Sequence, residues 1–165
     1  MTIPVEGLYM NGSLGAGKPA TTQTQNVNTE TAGAPISYGQ AVAMSGGKVV
    51  PANAAPIYGV ALSRSYVDSE HFTDTPTDTW KAGDVLGVLR EGTIAVPISA
   101  DVNKNEAATV DANGLFKPAG DSDAVVGIFT TAGNSGDTAF LQTSLGYNSA
   151  TKDQASSQPA NTPTK

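Results

Sequence analysis

The sequence contains no cysteine, a single histidine and a single tryptophan, and only 15% of its residues are charged. Without cysteine, disulfide bonds and thiolate metal sites are excluded, and a reducing compartment is permitted. Aromatic residues make up 6% of the chain, which leaves little material for a cluster of exposed rings of the kind that binds ligands or receptors. These shortages disfavour disulfide scaffolds, thiolate metal centres and aromatic-rich binding modules.

Long hydrophobic runs are also missing. No apolar run approaches the roughly 18 residues that a membrane-spanning helix needs, and the N-terminal segment lacks the basic and apolar regions of a signal peptide. We therefore expect a soluble chain without an export signal and without a membrane partner. The net charge of −6 opposes the approach of a phosphate backbone, so nucleic acid is not an expected partner either.

Composition divides the 165 residues into three regions. Residues 1–34 are an expected N-terminal arm, with a short apolar patch and then a polar run, and residues 146–165 are an expected low-complexity tail. Neither end carries enough apolar surface to offset the entropy cost of ordering by itself. The middle region, residues 35–145, holds 6 basic and 12 acidic residues and so carries the whole net charge. We expect it to be the folded domain.

The middle region alternates short apolar runs with turn sequences, in a chain with 18 glycines and 10 prolines. No window of helical length has apolar residues spaced by three and four without an interrupting glycine or proline. TIAVPI alternates, which puts Ile94, Val96 and Ile98 on one face of a strand, and the REG before it is typical of a turn. The pattern predicts an all-β domain, a small β-barrel or sandwich. The predicted strands lie in AVAM, KVV, IYGVAL, DVLGVL, TIAVPI, ATV, LF, AVVGIF and TAFLQTSL.

Residues 12–19, GSLGAGKP, nearly match the phosphate-binding pattern G-x-x-x-x-G-K-[ST]. A working loop of this kind follows an apolar strand and opens a helix. Here Pro4 and Gly7 interrupt the preceding segment, and the following polar run has no apolar face for a helix. Pro19 lacks the hydroxyl that would meet magnesium and the amide that would bind phosphate. We interpret the segment as a flexible, glycine-rich part of the arm.

The single histidine, His71, lies in DSEHFTDTPTD. As a catalytic base it would act on Ser69, but no oxyanion-hole signature accompanies this pair. As a metal ligand it would join neighbouring carboxylates, which hard cations favour. These carboxylates are Asp68, Glu70, Asp74 and Asp78. A hydrated surface loop is the interpretation that the composition favours.

Two further candidates have similarly plain explanations. Residues 101–112 resemble a calcium loop at Asp101, Asn103 and Asn105, but Glu106 replaces the required glycine and Ala112 the bidentate glutamate. Trp80 suits a ligand-stacking platform, but a lone tryptophan more often anchors a core or an interface. The sequence thus offers no acid–base pair, metal site or cofactor loop. We expect a chain without a cofactor that binds or builds structure, and not an enzyme.

The strand-and-turn sequences from about residue 35 to 145 include the Gly83-Asp84 turn leading into VLGVLREGTIAV, and then VGIF and AGNSGDTAFLQTSL. This series resembles the structural cement, or head decoration, proteins of tailed bacteriophages. The resemblance implies a compact β-barrel-like fold that adds to the outer capsid surface of the virion and locks neighbouring major capsid protein subunits together. It also implies accumulation in the host cytoplasm during assembly. By analogy with capsid decoration generally, self-association as a trimer is expected.

The apolar patch of the arm is the candidate capsid contact. Ile3 and Val5 have the two-residue spacing of a strand that adds to a sheet edge, and Leu8 and Tyr9 extend the patch. The alternative is that these four residues fold back on their own β-domain. The alternative function is a receptor-binding or adhesin-like β module of a tail fibre, for which the scarce, dispersed aromatic residues offer little support.

Overall fold

The structure, a computed structural model, describes residues 14–64 and 78–144. Every regular element in these two ranges is a β-strand, so the prediction of an all-β fold is confirmed. The same residues contain no helix that is long and apolar enough to cross a membrane. The strands of the described residues are β1 (Asn26–Thr31), β2 (Ile36–Ser37), β3 (Ala41–Ser45), β4 (Lys48–Pro51), β5 (Gly59–Ala61), β6 (Thr79–Trp80), β7 (Val85–Pro97), β8 (Ala107–Val110), β9 (Phe116–Pro118), β10 (Gly127–Phe129) and β11 (Thr138–Thr143).

The 13-residue strand β7 lies at the centre of the main sheet. Hydrogen-bonded neighbours follow the order β4-β3-β5-β7-β11-β10-β8-β9, and β1 pairs with β7 as well. The first half of β7 pairs with β1 and β5. Its second half pairs with β11 and, on the other side, with residues 17–20. The two halves of β7 therefore pair with different strands.

The expected turn at REG is wrong, because these three residues lie inside β7. Asn26 is opposite Glu91 and Val27 is opposite Leu89, so Arg90 is an extra residue in the pairing with β1. Gly92 has a φ of 139°, which a residue with a side chain rarely adopts. The bulge and this glycine bend the strand without ending it.

Two parallel bridges curl the sheet into a pair of rings. Ala32 pairs with Val49 and so links the chain after β1 to β4, which completes a first ring of β1, β7, β5, β3 and β4. Ile98 pairs with Phe116 and links the end of β7 to β9, which completes a second ring of β7, β11, β10, β8 and β9. The two rings share β7.

Each ring has its own buried cluster of apolar side chains. The smaller cluster belongs to the first ring and consists of Ala32, Ile36, Val42, Val49, Ala61, Trp80, Leu86 and Val88. The larger cluster includes Ile94, Val96 and Ile98, which the alternation placed on one face. It also includes Val60 and Leu89 from the first ring, so the outside of the first ring packs against the second. Each fully buried Leu, Ile, Val or Phe side chain contributes about 1.5–3 kcal/mol.

The β structure begins earlier than composition suggested. Strand β1 and residues 17–20 both pair with β7, although they fall in the range 1–34 that was assigned to the arm. Strand pairing is made by backbone groups, so a polar sequence such as NVNTET can join a sheet when it alternates suitably. The structure therefore differs from the expectation for residues 14–34.

Residues 14–20 are held against the body by a close approach of two glycines. Gly17 has a φ of 79° and Gly39 a φ of 73°. A Cβ atom on Gly17 would lie 2.7 Å from the amide nitrogen of Ser63 and 2.9 Å from that of Gly39. The Gly17 amide donates to the Ala95 carbonyl at 2.8 Å. Only glycine combines this backbone conformation with this spacing.

We predict that Gly17→Ala lowers the free energy of unfolding by about 3 kcal/mol, because it adds a backbone overlap to the strain of a positive φ. Gly46→Ala is the matched control: Gly46 also has a positive φ, of 56°, but nothing lies within 4 Å of its Cβ position. The control should cost about 1 kcal/mol, from backbone strain alone. Chemical denaturation measures both, and equal losses would contradict the packing argument.

Candidate functional site

The four predicted contact residues, Ile3, Val5, Leu8 and Tyr9, lie outside the described residues, and their role stays a prediction. The body does show where the preceding chain must approach it. The Leu14 carbonyl accepts a hydrogen bond from the Thr138 hydroxyl at 3.2 Å, and Thr138 is the first residue of β11. The first described residue therefore lies beside this end of β11.

The part of GSLGAGKP that the structure describes is a strand-like segment paired with β7. The Ala95 amide donates to the Lys18 carbonyl at 2.9 Å, and the Gly17 amide donates to Ala95 in return. Pro19 pairs with Ile94. A phosphate loop needs free amides that converge on the ligand, whereas the Gly17 amide is already bonded within the sheet. The segment is an attachment of the chain to β7.

The candidate metal ligands are distributed over separate local structures. His71 and most of its neighbouring carboxylates lie outside the described residues, and the Asp78 carbonyl accepts the Tyr38 amide at 2.9 Å. In the calcium-like segment, the Asp101 carboxylate accepts the Ser135 amide at 2.8 Å. The Glu106 carboxylate turns back to accept the Asn103 amide at 2.8 Å. Nowhere in residues 14–64 and 78–144 do three or more His, Asp or Glu side chains come together.

Trp80 is a core anchor. The residue is 8% exposed, and its indole N–H donates to the Leu62 carbonyl at 2.8 Å. The Arg64 guanidinium lies over the ring, 4.5 Å from its centroid, and donates to the Asp84 carboxylate at 2.5 Å. Tyr38 packs its ring edge-on against the indole, with centroids 5.8 Å apart. All these groups are engaged with one another, so they close one end of the first ring and leave no stacking platform.

The other end of the first ring carries a polar group that sequence reasoning missed. Asn28 and Glu30 lie on β1 opposite Val88 and Leu86, which belong to the buried cluster, so they share the inner face. The Tyr58 hydroxyl donates to the Glu30 carboxylate and accepts from the Asn28 amide group at 2.8 Å. The alternation in NVNTET was the available signal, but the run was assigned to the arm.

Arg90 completes this group. It follows Leu86 and Val88 on the same face of β7, and its guanidinium carbon lies 3.8 Å from the centroid of the Tyr58 ring. The flat guanidinium stacked on a ring is a cation–π arrangement. Arg90 is partly exposed, whereas its Nε atom is buried and has no hydrogen-bond partner. We call Asn28, Glu30, Tyr58 and Arg90 the polar mouth of the first ring.

The remaining surface features are an exposed apolar pair and an open polar groove. Val27 is 43% exposed and Val85 is 62% exposed, and both lie on the outer face of the β1–β7 pair. The groove lies where β1, the bend of β7 and the end of β11 meet. It is lined by Thr22, Gln23, Thr24, Gln25, Asn26, Val27, Glu91, Gly92, Gln142, Thr143 and Ser144. Its amides and hydroxyls suit hydrogen bonding to an uncharged partner.

The arrangement as a whole offers closed rings of strands, polar and apolar contact surfaces, and no convergent set of reactive groups among the described residues. It matches the family model described as "Structural cement protein (E217 gp24/Pam3 gp6)" over residues 7–144. The chain belongs to this family of phage structural cement proteins. The match covers most of the 165 residues, so the resemblance inferred from the strand and turn sequences is confirmed.

A solved structure similar to this chain is the N base of head fibre gp8.5 of bacteriophage phi29. It has 18% sequence identity and a TM-score of 0.49, and the alignment covers 74% of this chain and 96% of that one. A search of curated proteins found no match.

Membership of the cement family gives the chain a structural, capsid-stabilising role in the virion. It implies interaction with capsid proteins and a location on the virion capsid. The family is a structural class and not an enzyme class. The candidate functional sites are therefore binding surfaces. The polar mouth and the segments beside β11 are the two candidates for contact with capsid proteins.

We predict that Tyr38 makes stability depend on alkaline pH. Burial raises the pKa of its phenol above the ordinary value of 10.0, more than the neighbouring Arg64 lowers it. The stabilisation that accompanies this raised pKa is present below pH 10 and is lost as the pH rises through the folded-state value. Unfolding free energies measured from pH 9 upwards should fall less for Tyr38→Phe than for the wild type, with Tyr58→Phe as the control. Identical pH profiles for wild type and Tyr38→Phe would contradict the assignment.

Proposed function

We propose that the chain binds the outer surface of the assembled capsid and stabilises it by bridging neighbouring major capsid protein subunits. The observation that carries this proposal is the family match over residues 7–144. Two curled rings that share a strand make a body whose buried clusters fix its shape. A body of fixed shape transmits force between two attachment points, which is the property that a bridge between subunits needs.

Bridging stabilises a capsid by adding contacts that must break before subunits separate. A ligand that binds the assembled state alone stabilises it by about 2.7 kcal/mol per site at a free concentration of 100 Kd. Self-association adds avidity, since copies that are joined bind their sites together. A trimer is the state that we propose, by analogy with capsid decoration. The protein would accumulate in the host cytoplasm and join capsids there.

The arm contributes the first attachment point in this proposal. Leu8 and Tyr9 lie within the matched range, and Ile3 and Val5 precede it. The described chain begins at Leu14, which is hydrogen-bonded beside the start of β11, and in this proposal the apolar patch of the arm contacts a neighbouring capsid surface. The net charge of −6 opposes contact with packaged nucleic acid, which agrees with an external position.

We predict that purified protein raises the temperature at which undecorated capsids dissociate, in proportion to its occupancy. Bridging requires two neighbouring subunits, so unassembled capsid protein should bind at least about tenfold more weakly, since one of two attachment points is lost. Co-sedimentation with capsids and titration of unassembled subunits measure the two affinities. Equal affinities would rule out bridging. Binding to host cells without binding to capsids would favour the tail-fibre alternative.

We predict that deleting residues 1–13 leaves the melting temperature unchanged and lowers capsid occupancy. The described body keeps its hydrogen bonds from Leu14 onward, and the deleted segment holds all four apolar contact candidates. Deleting residues 146–165 is the control, since that tail has almost no large apolar side chains, and it should retain occupancy. A lower melting temperature with full occupancy after deletion of residues 1–13 would mean that the arm folds back on the β-domain.

A further inference from the structure

We propose that Arg90, stacked on Tyr58, is a contact residue that receives a carboxylate of the capsid protein. This inference rests on the function proposed above and names one of the chemical groups that would carry it. The site is the polar mouth, at the end of the first ring opposite Trp80. It lies on the folded body, so it is independent of the arm.

The hydrogen-bonding state of Arg90 is the first observation. A guanidinium carries five N–H donors and cannot be deprotonated in a protein. Among the residues that the structure describes, none of these donors has a hydrogen-bond partner, and the buried Nε is without one even though water cannot reach it. Buried polar groups are satisfied in the great majority of native structures. The terminal nitrogens of Arg90 are not among the buried atoms that lack a partner, so they are accessible to a group from another molecule.

Arg64 provides the comparison within the same protein. Like Arg90, it lies over an aromatic side chain that packs in or against the smaller buried cluster. One terminal nitrogen of Arg64 is paired with the Asp84 carboxylate, although the Arg64 Nε, like that of Arg90, is buried without a hydrogen-bond partner. Arg90 has the same stacked arrangement without the carboxylate. By analogy with Arg64, the group that would pair with Arg90 is a carboxylate.

The neighbouring carboxylates do not fill this position. Glu30 accepts the hydroxyl of Tyr58 and makes no ion pair with Arg90 in the described part of the chain. Glu91 follows Arg90 directly on β7, but it is exposed, lines the open polar groove and makes no ion pair with Arg90 among the described residues. Tyr58 is itself held by Asn28 at 2.8 Å, so the ring under the guanidinium is fixed. The guanidinium therefore lies over a ring whose position is fixed.

A protein carboxylate matches this presentation better than a phosphate backbone does. The planar fork of arginine binds carboxylate and phosphate in the same two-point manner. Nucleic acid would bring a row of negative charges against a chain of net charge −6, whereas an Asp or Glu side chain brings one. Repulsion from distant acidic residues is screened beyond about 8 Å at physiological ionic strength, so a single carboxylate reaches Arg90 at little cost. Arginine and tyrosine are also the side chains most enriched at the energetic centres of protein interfaces.

The test compares variants of the full-length protein in binding to undecorated capsids. Arg90→Gln should weaken binding by about tenfold or more, as expected for loss of a charge-assisted, two-point contact. Arg90→Lys keeps the charge and should still weaken binding several-fold, because the stacked fork is lost. Lys48→Gln, which removes one exposed positive charge, is the matched control and should change affinity by less than about twofold. Arg90 has no side-chain hydrogen bond to lose, so Arg90→Gln loses only the stacking on Tyr58 and should melt no more than a few degrees below the control.

The outcomes separate this inference from the proposed function. If the wild-type protein does not bind capsids, both fall. If it binds and Arg90→Gln binds equally well, the inference alone is wrong.

A second measurement avoids the need for a folded variant. Phenylglyoxal should modify Arg90 in the free wild-type protein and not in decorated capsids, with Arg64, paired to Asp84, as the internal reference. Equal modification of Arg90 in both states would overturn the inference.

Discussion

The pairing of β7 along its whole length is the constraint on which the rest of the structure depends. Its first half pairs with β1 and β5, and its second half pairs with β11 and residues 17–20. A straight strand would keep one set of neighbours from end to end. The bulge at Arg90 and the unusual φ of Gly92 turn the strand between two rings, and the separate buried clusters follow from that turn.

Each end of the first ring carries an arginine stacked on an aromatic ring, but only one of the two arginines is paired with a carboxylate. At one end Arg64 stacks on Trp80 and is neutralised by Asp84. At the other end Arg90 stacks on Tyr58, and the nearby Glu30 is occupied by the tyrosine hydroxyl. Stacking positions both guanidinium groups, but only the first has its charge balanced locally. The Arg64 ion pair therefore belongs to the fold, and the accessible end of Arg90 is the part of the polar mouth that we propose binds a capsid carboxylate.

Local patterns predicted most of the strands, since every apolar run that was named contains or contributes to one. They did not predict β1, β2 or β6, which are polar or only two residues long and exist because a partner strand is nearby. REG contains the residue types of a turn, but pairing with β1 and β11 outweighs that local preference. The polar mouth was invisible for a related reason. Its members are up to 62 residues apart in sequence, from Asn28 to Arg90, and only the ring brings them together.

The first and last described residues lie at opposite ends of β11. The chain arrives beside Thr138, where Leu14 is bonded, and departs after Thr143 at the other end of the same strand. Six residues of strand span about 20 Å, so entry and exit lie on opposite sides of a small body. If the entering side faces a surface, the departing side faces the surroundings. A protein or label fused after the last strand would then be displayed outward, away from the attachment, which makes this geometry suitable as a carrier scaffold.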